Sequence, residues 1–354
     1  MRLRLVIALL ILIVSPLSLR VFAEPNFDVL FELDETVPPA NIAVTPEGRT
    51  FLSTHQAYGA NYKLLEITQD GEFVPYPNKA FSESMFSVLG TVADKEGVLW
   101  FLDTRWDYHS GRVIGWDTKT ETLFKMFHIT KPYIGENYIL NDLAVDRTHN
   151  AIYISDTADA KTSALIVIDI DTGQIRRVLS GSTYTIPEDK NIVIDGKVLP
   201  MGEENARIGV NPITIDHNDE WVYFAPMTSE SLYRVKTEDL LNDELNDARL
   251  ASKVEFFARK PFSDGITIDT AGNIYVSDIT NNTLAIINNK RQYQPLFKDE
   301  RLAWVEGFAN AGDKGILATA NQLHRSKAFN KSSTSTNKFY IIRFTPKANA
   351  GFGR

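Results

Sequence analysis

Ile268-Asp-Thr-Ala-Gly-Asn-Ile-Tyr-Val-Ser-Asp278, followed by Thr283-Leu-Ala-Ile-Ile-Asn-Asn289, is a phrase that the chain repeats. Val145-Asp-Arg-Thr-His-Asn-Ala-Ile-Tyr-Ile-Ser-Asp156, followed by Ala164-Leu-Ile-Val-Ile-Asp-Ile-Asp171, has the same form. Looser copies begin at Ala93-Asp94 and at Ile215-Asp216. Each copy is a strand ending near Asp, a tight polar turn, a β-rich strand, a loop and another alternating strand. Working outward, a first copy runs from Ile42 to Ser53 with Lys63-Leu-Leu-Glu-Ile67 after it. A degenerate last copy reads Gly307-Phe-Ala-Asn310, then Gly315-Ile-Leu-Ala-Thr319, then Phe339-Tyr-Ile-Ile-Arg-Phe344. Copies of four short strands at a spacing of roughly 40–50 residues predict an all-β, six-bladed β-propeller. It is read as a single domain over residues 24–347.

Three segments fall outside the repeat. Arg2 and Arg4 precede an apolar run from Leu5 to Leu17, and Val21-Phe-Ala23 offers a cleavage point, so residues 1–23 read as a signal peptide. Beyond it, no apolar run is long enough to span a bilayer. Between the third and fourth copies lies an insertion, Ser180 to Ile208. Its Asp195-Gly196 pair, flanked by Val193-Ile194 and Val198-Leu199, predicts a hairpin. A hairpin at that place is expected to cover one mouth of the central channel. Residues 348–354 read as a flexible C-terminal tail. The one helical pattern is Thr237–Asp247, where Thr237 is expected to cap a helix carrying Leu240, Leu241 and Leu245.

Composition narrows the function. The formal charge is −8 and basic residues do not cluster with aromatics, which excludes a nucleic-acid surface. The chain has no cysteine, which removes thiol nucleophiles, thiolate metal sites and redox chemistry. A propeller of this length buries enough core to stand without disulfides. An acidic, cysteine-free exported chain points to the bacterial periplasm, with no stable membrane insertion once the leader is removed. Oligomeric state is left open.

In a propeller the innermost strand of each blade faces the axis. Aligned on the repeat, Asn141, Asn211, Asp264 and Glu306 fall at equivalent places, with Asn41 and Asp142 one step off. Oxygen donors of this kind suit Ca²⁺, Mg²⁺ or Mn²⁺. The same residues next to Gly or Pro also read as ordinary turn formers. Tyr58, Trp106, Tyr108 and Phe224 are candidates for an aromatic pocket. His55 and His109, in loops after inner strands, are candidate bases. The six histidines show no zinc-binding spacing, and there is no nucleophile elbow or phosphate-cradling glycine loop.

Gly209-Val-Asn-Pro-Ile-Thr-Ile-Asp216, continuing through Val222-Tyr-Phe-Ala-Pro226 to Leu232-Tyr-Arg-Val235, resembles the hallmark stretch of the major royal jelly/yellow protein family. Ile154-Ser-Asp156 with Ala164–Asp169, and Trp304 with Asn321-Gln-Leu323, are similar to other parts of that family. The resemblance covers essentially the mature chain and implies a secreted six-bladed propeller. Some family members bind small aromatic amines, and some are credited with dopachrome conversion. A more distant likeness is to the regucalcin/gluconolactonase lactonases. Ser263-Asp264-Gly265 matches their Asp motif, and Asn211-Pro212 matches their Asn with Pro in place of Gly. Glu306-Gly307 matches their Glu in type but stands in the last blade, not the first.

Two functional expectations follow. The first is an exported propeller that binds a small aromatic or amine-like molecule at the channel mouth. Asp142 and Asp264 would pair with the cation, Tyr58 or Trp106 would stack on it, and Asn41 and Asn141 would line the site. The alternative is a metal-dependent lactone hydrolase with a divalent cation on Asn211, Asp264 and Glu306. An enzymatic role would therefore be that of a metal-assisted lactonase or a dopachrome-converting isomerase.

Overall fold

Runs of Val, Ile and aromatic residues broken by Asp-Gly, Asn-Asp and Thr-Gly turns fold into six four-stranded antiparallel sheets. In a computed structural model, the described residues are 27–105 and 108–354. The leader read at residues 1–23 lies outside them, as does Trp106. The innermost strands are Pro39–Val44, Val88–Ala93, Leu140–Asp146, Val210–Ile215, Ile266–Ile268 and Val305–Asn310. Each touches the next, and the sixth touches the first, so the sheets close into a ring of six blades.

Closure uses the N-terminal segment. Asp28–Leu33 is the outermost strand of the sixth blade and pairs antiparallel with Phe339–Phe344. The blade is thus built from both ends of the chain, which ties the ring closed. The core lies between blades, where side chains such as Trp100, Tyr138 and Ile152, or Phe224 and Tyr153, are fully buried.

The helical reading is corrected at one point. Residues 237–251 form two short helices, Thr237–Leu241 and Asp247–Ala251. Thr237 caps neither, because its hydroxyl donates to the Asp219 carbonyl oxygen at 2.8 Å; Asn246 caps the second.

Residues 348–354 are not a loose tail. They cross the end of the channel away from the insertion, and Ala350 is fully buried. Asn310 Nδ2 donates to the Ala350 carbonyl at 2.6 Å, and Gly312 N donates to that of Gly351. Arg354 reaches the buried carboxylate of Asp219 at 2.5 Å. That carboxylate also accepts from Lys95 and Thr148.

The inner strands approach so closely that glycine is required. A Cβ on Gly265 would stand 1.9 Å from the Glu306 carbonyl oxygen, which is backbone and cannot yield. Gly265→Ala is therefore expected to destabilise the fold by about 1–3 kcal/mol, read from the midpoint of denaturant unfolding. An unchanged midpoint would mean that blades 5 and 6 are not so tightly packed.

Candidate functional site

Five of the six inner strands lose register at the same place. The pairing with the second strand skips between Pro39 and Ile42, Val88 and Thr91, Leu140 and Leu143, Val210 and Ile213, and Val305 and Phe308. In the fifth, Asp264 and Gly265 precede the paired strand. A bulge leaves a residue unpaired and turns its side chain. Here the bulged positions hold Asn41, Asn141-Asp142, Asn211 and Glu306.

Backbone groups left over at four of these irregular positions are stitched by a hydroxyl from the second strand. Ser53 accepts from Asn41 N at 2.9 Å, Ser155 from Asp142 N, Ser277 from Asp264 N, and Thr319 from Gly307 N. The other two blades have Leu102 and Ala225 at that position. The hydroxyls hold the axial residues in place.

The bulged side chains meet at the mouth beneath the insertion. Asn141, Asn211, Asp264 and Glu306 all line one cavity of about 590 Å³. Its walls include His55, Leu89, Ile139, Met227, Leu323 and Phe329. Its roof is the insertion, where Val193–Ile194 pairs with Lys197–Val198 and Pro200–Met201 pairs with Glu204–Asn205. Met201, Glu204, Asn205, Arg207 and Ile208 face the cavity. The insertion is seated by burying Ile192, Ile194, Leu199, Ala206 and Ile208 against Trp304, Leu323 and Phe329.

Below this floor the channel narrows to a chamber of about 20 Å³ bordered by Asn41, Asp142, Glu306 and Arg354, among others. Asn41 and Asp142 therefore belong to the narrow channel and not to the wide cavity. Asn41 Nδ2 donates to Asp142 Oδ1 at 3.1 Å. Tyr58 also differs from expectation. It is absent from the cavity wall, its ring packs on Phe339, and its hydroxyl donates to the Asn321 carbonyl at 2.6 Å. It is a second layer behind His55. Tyr108 is exposed, and so is His109.

The electrostatics are one-sided. Asp264 accepts from Asn211 Nδ2 at 2.6 Å and from the Trp304 indole N–H at 2.5 Å. Glu306 accepts from Asn321 Nδ2. Among the described residues, no Lys or Arg pairs with Asp142, Asp264 or Glu306. Burial pushes the Asp264 carboxyl up to about 7, against the donated hydrogen bonds. Burial does the same for Asp142, also up to about 7, with a smaller push from Asp264. Glu306 is raised well above the usual carboxylate range by burial, then by repulsion from Asp264 and Asp142.

His55 is the residue whose role sequence reading left unfixed. Its Nδ1 accepts from Ala57 N at 3.1 Å, as the cap of a short 3₁₀ turn. That bond fixes the neutral tautomer with hydrogen on Nε2, and Nε2 lies 3.8 Å from Glu306 Oε1. Burial holds the imidazole down at about 4. His55 is thus a neutral donor toward the cavity and not a ready base.

A divalent cation on Asn211, Asp264 and Glu306 would need Asn211 to turn over, because its amide nitrogen faces Asp264. Each Asp264 oxygen accepts one N–H bond, from Asn211 and from Trp304, and keeps a further lone pair. Among the described residues, no three acidic or histidine side chains converge on a metal-holding point.

The chain matches the family model described as major royal jelly protein over residues 86–346. It is 24% identical over 270 residues to major royal jelly protein 3 of Apis mellifera, covering 70% of this chain and 48% of that one. The chain thus spans about half the length of that curated relative. In fold it is similar to a luciferin-regenerating enzyme, with a TM-score of 0.60 at 13% identity, covering 93% of this chain and 98% of that one. It is also similar to a calcium-binding protein, regucalcin, from Agrobacterium tumefaciens, with a TM-score of 0.56 at 14% identity and the same coverage.

The raised carboxyls set a pH dependence. A folded carboxyl near 7 holds a proton that the unfolded chain has released above about 4, so its contribution to stability is lost as pH rises from about 4 to 7. His55 acts in the opposite sense, its contribution lost as pH falls from about 6.5 to 4. Asp264→Asn should remove Asp264's share of the first effect and leave the second. Unfolding in denaturant at pH 5 and pH 8 should find the variant gaining roughly 1–3 kcal/mol relative to wild type at the higher pH. An equal difference at both values would mean that Asp264 is not held protonated by burial. These observations assign the chain to the major royal jelly protein family.

Proposed function

We propose that this is an exported binding protein for a small cationic molecule with an apolar or aromatic body, held in the cavity under the insertion. The observation that carries the reading is the pair of buried carboxylates, Asp264 and Glu306, facing an otherwise largely apolar cavity with no Lys or Arg paired to them. An ammonium brought against them gains Coulomb energy in a weakly polar surrounding. It also restores the charge that burial makes costly. Leu323, Phe329, Met227 and Ile139 would bury the apolar body, and the size of the cavity suits a small molecule. Neutral His55 would donate from Nε2 to a carbonyl or hydroxyl oxygen. The insertion acts as a lid, and Arg2, Arg4 and the apolar run after them are the reason to place the protein outside the cytoplasm.

A second reading, a divalent cation serving hydrolysis of a lactone, draws on the same carboxylate surplus and on the fold shared with regucalcin. It would require Asn211 to turn its amide oxygen, in place of its nitrogen, toward the cation. The amine reading does not need that turn.

Thermal unfolding distinguishes the two. An arylalkylamine such as phenethylamine should raise Tm, whereas its uncharged alcohol analogue should not. Glu306→Gln should weaken the amine by at least about 30-fold, on the order of 2 kcal/mol. Replacing residues 193–198 by a Gly-Gly link should speed its release. Stabilisation by Ca²⁺ and loss of stability with a chelator, with no response to the amine, would favour the cation reading instead.

A further inference from the structure

A second cavity, of about 510 Å³, opens between the insertion and the outer part of the fourth blade. Val193, Glu230, Arg259, Lys260, Pro261 and Phe262 are on its wall. It shares no lining residue with the channel cavity.

Lys260 is only 4% exposed. Its Nζ donates to the carbonyl oxygens of Ser229 at 2.8 Å and Pro261 at 3.0 Å. No ion pair involves it among the described residues, and the reason is local. The nearby carboxylates of Glu188 and Glu230 are both taken by Lys190, at 2.8 and 2.6 Å. Glu188 also accepts from the Ser229 hydroxyl, and Glu230 lies 3.9 Å from Arg259.

A neutral amine has two N–H bonds, and two carbonyls are there to receive them. The lone pair is then left over, because a carbonyl cannot donate to it. An ammonium in the same place would have a third N–H without an acceptor. Burial pushes the amine down to about 7, with Glu188, Asp278 and Glu230 opposing. A buried lysine with no counter-ion is the usual setting for amine nucleophiles that form Schiff bases.

We propose that Lys260 is a nucleophilic amine that condenses with a small aldehyde entering this second cavity. The lone pair attacks the carbonyl carbon to give a carbinolamine. Loss of water, carrying away the carbonyl oxygen and both amine hydrogens, leaves an imine. No external oxidant or reductant is consumed. Protonated, the imine keeps one N–H for the Ser229 or Pro261 carbonyl.

Reductive trapping tests this directly. Folded wild-type protein would be treated briefly with acetaldehyde and cyanoborohydride at pH 7, and modified lysines located by peptide mass mapping. Lys260 should be alkylated roughly tenfold faster than the exposed Lys131 and Lys253, and its rate should rise with a midpoint near pH 7. Lys260→Met should lose the modification while keeping the wild-type unfolding midpoint. If that variant does not fold, the wild-type rates still decide. Reaction of Lys260 no faster than that of the exposed lysines, or only above about pH 10, would overturn the proposal.

Discussion

Three carboxyls, Asp142, Asp264 and Glu306, are enclosed around one axis without a cationic side chain to pair them, and the rest of the channel is arranged around that fact. Isolated carboxylates are strongly disfavoured in such a place. The fold answers with neutral donors: the Asn211, Asn41 and Asn321 amides and the Trp304 indole. These soften the cost without cancelling the charge, so the groups are biased toward their protonated forms. An arrangement that keeps acids buried and unpaired is costly for stability alone. Such sites are where binding or catalysis is to be sought.

The two ends of the channel are closed by different means. The insertion sits over the wide cavity on a hydrophobic seat of Trp304, Leu323 and Phe329. Trp304 belongs to both layers, since its indole N–H also reaches Asp264. Movement of the insertion and the state of the floor are therefore joined through one side chain. At the other end, residues 349–354 lie across the narrow channel, and Arg354 is paired with Asp219 there. The wide cavity beside Asp264 and Glu306 lies on the insertion side.

Much of this was legible in the chain. The Asp-turn-strand phrase at 145–156 and 268–278 carries the blades, and its phase brings Asn141, Asn211, Asp264 and Glu306 to one cavity. Asp195-Gly196 announces the ribbon of the insertion. The stitching hydroxyls, Ser53, Ser155, Ser277 and Thr319, share one repeat position that the sequence reading did not use, and they fix the backbone at Asn41, Asp142, Asp264 and Gly307. Other features depend on contacts that no local pattern encodes. Asp28–Leu33 lacks the repeat phrase and pairs with a strand more than 300 residues away. Tyr58 has the composition of a ligand contact, yet its hydroxyl is drawn to the Asn321 carbonyl in the last blade. The glycines of 348–354 suggest looseness, whereas the small size of Gly351 is what lets the segment lie flat on His217. The role of His55 rests on a bond to Ala57 N that decides its tautomer.

The central claim is that the floor carboxyls hold protons until a cation displaces them. Calorimetric titration with phenethylamine at pH 7, repeated in buffers of different ionisation enthalpy, measures the protons exchanged on binding. Binding should release protons from Asp264 and Glu306 to the buffer, and the release should shrink in Glu306→Gln. Binding with no proton exchange, or with uptake, would contradict the account.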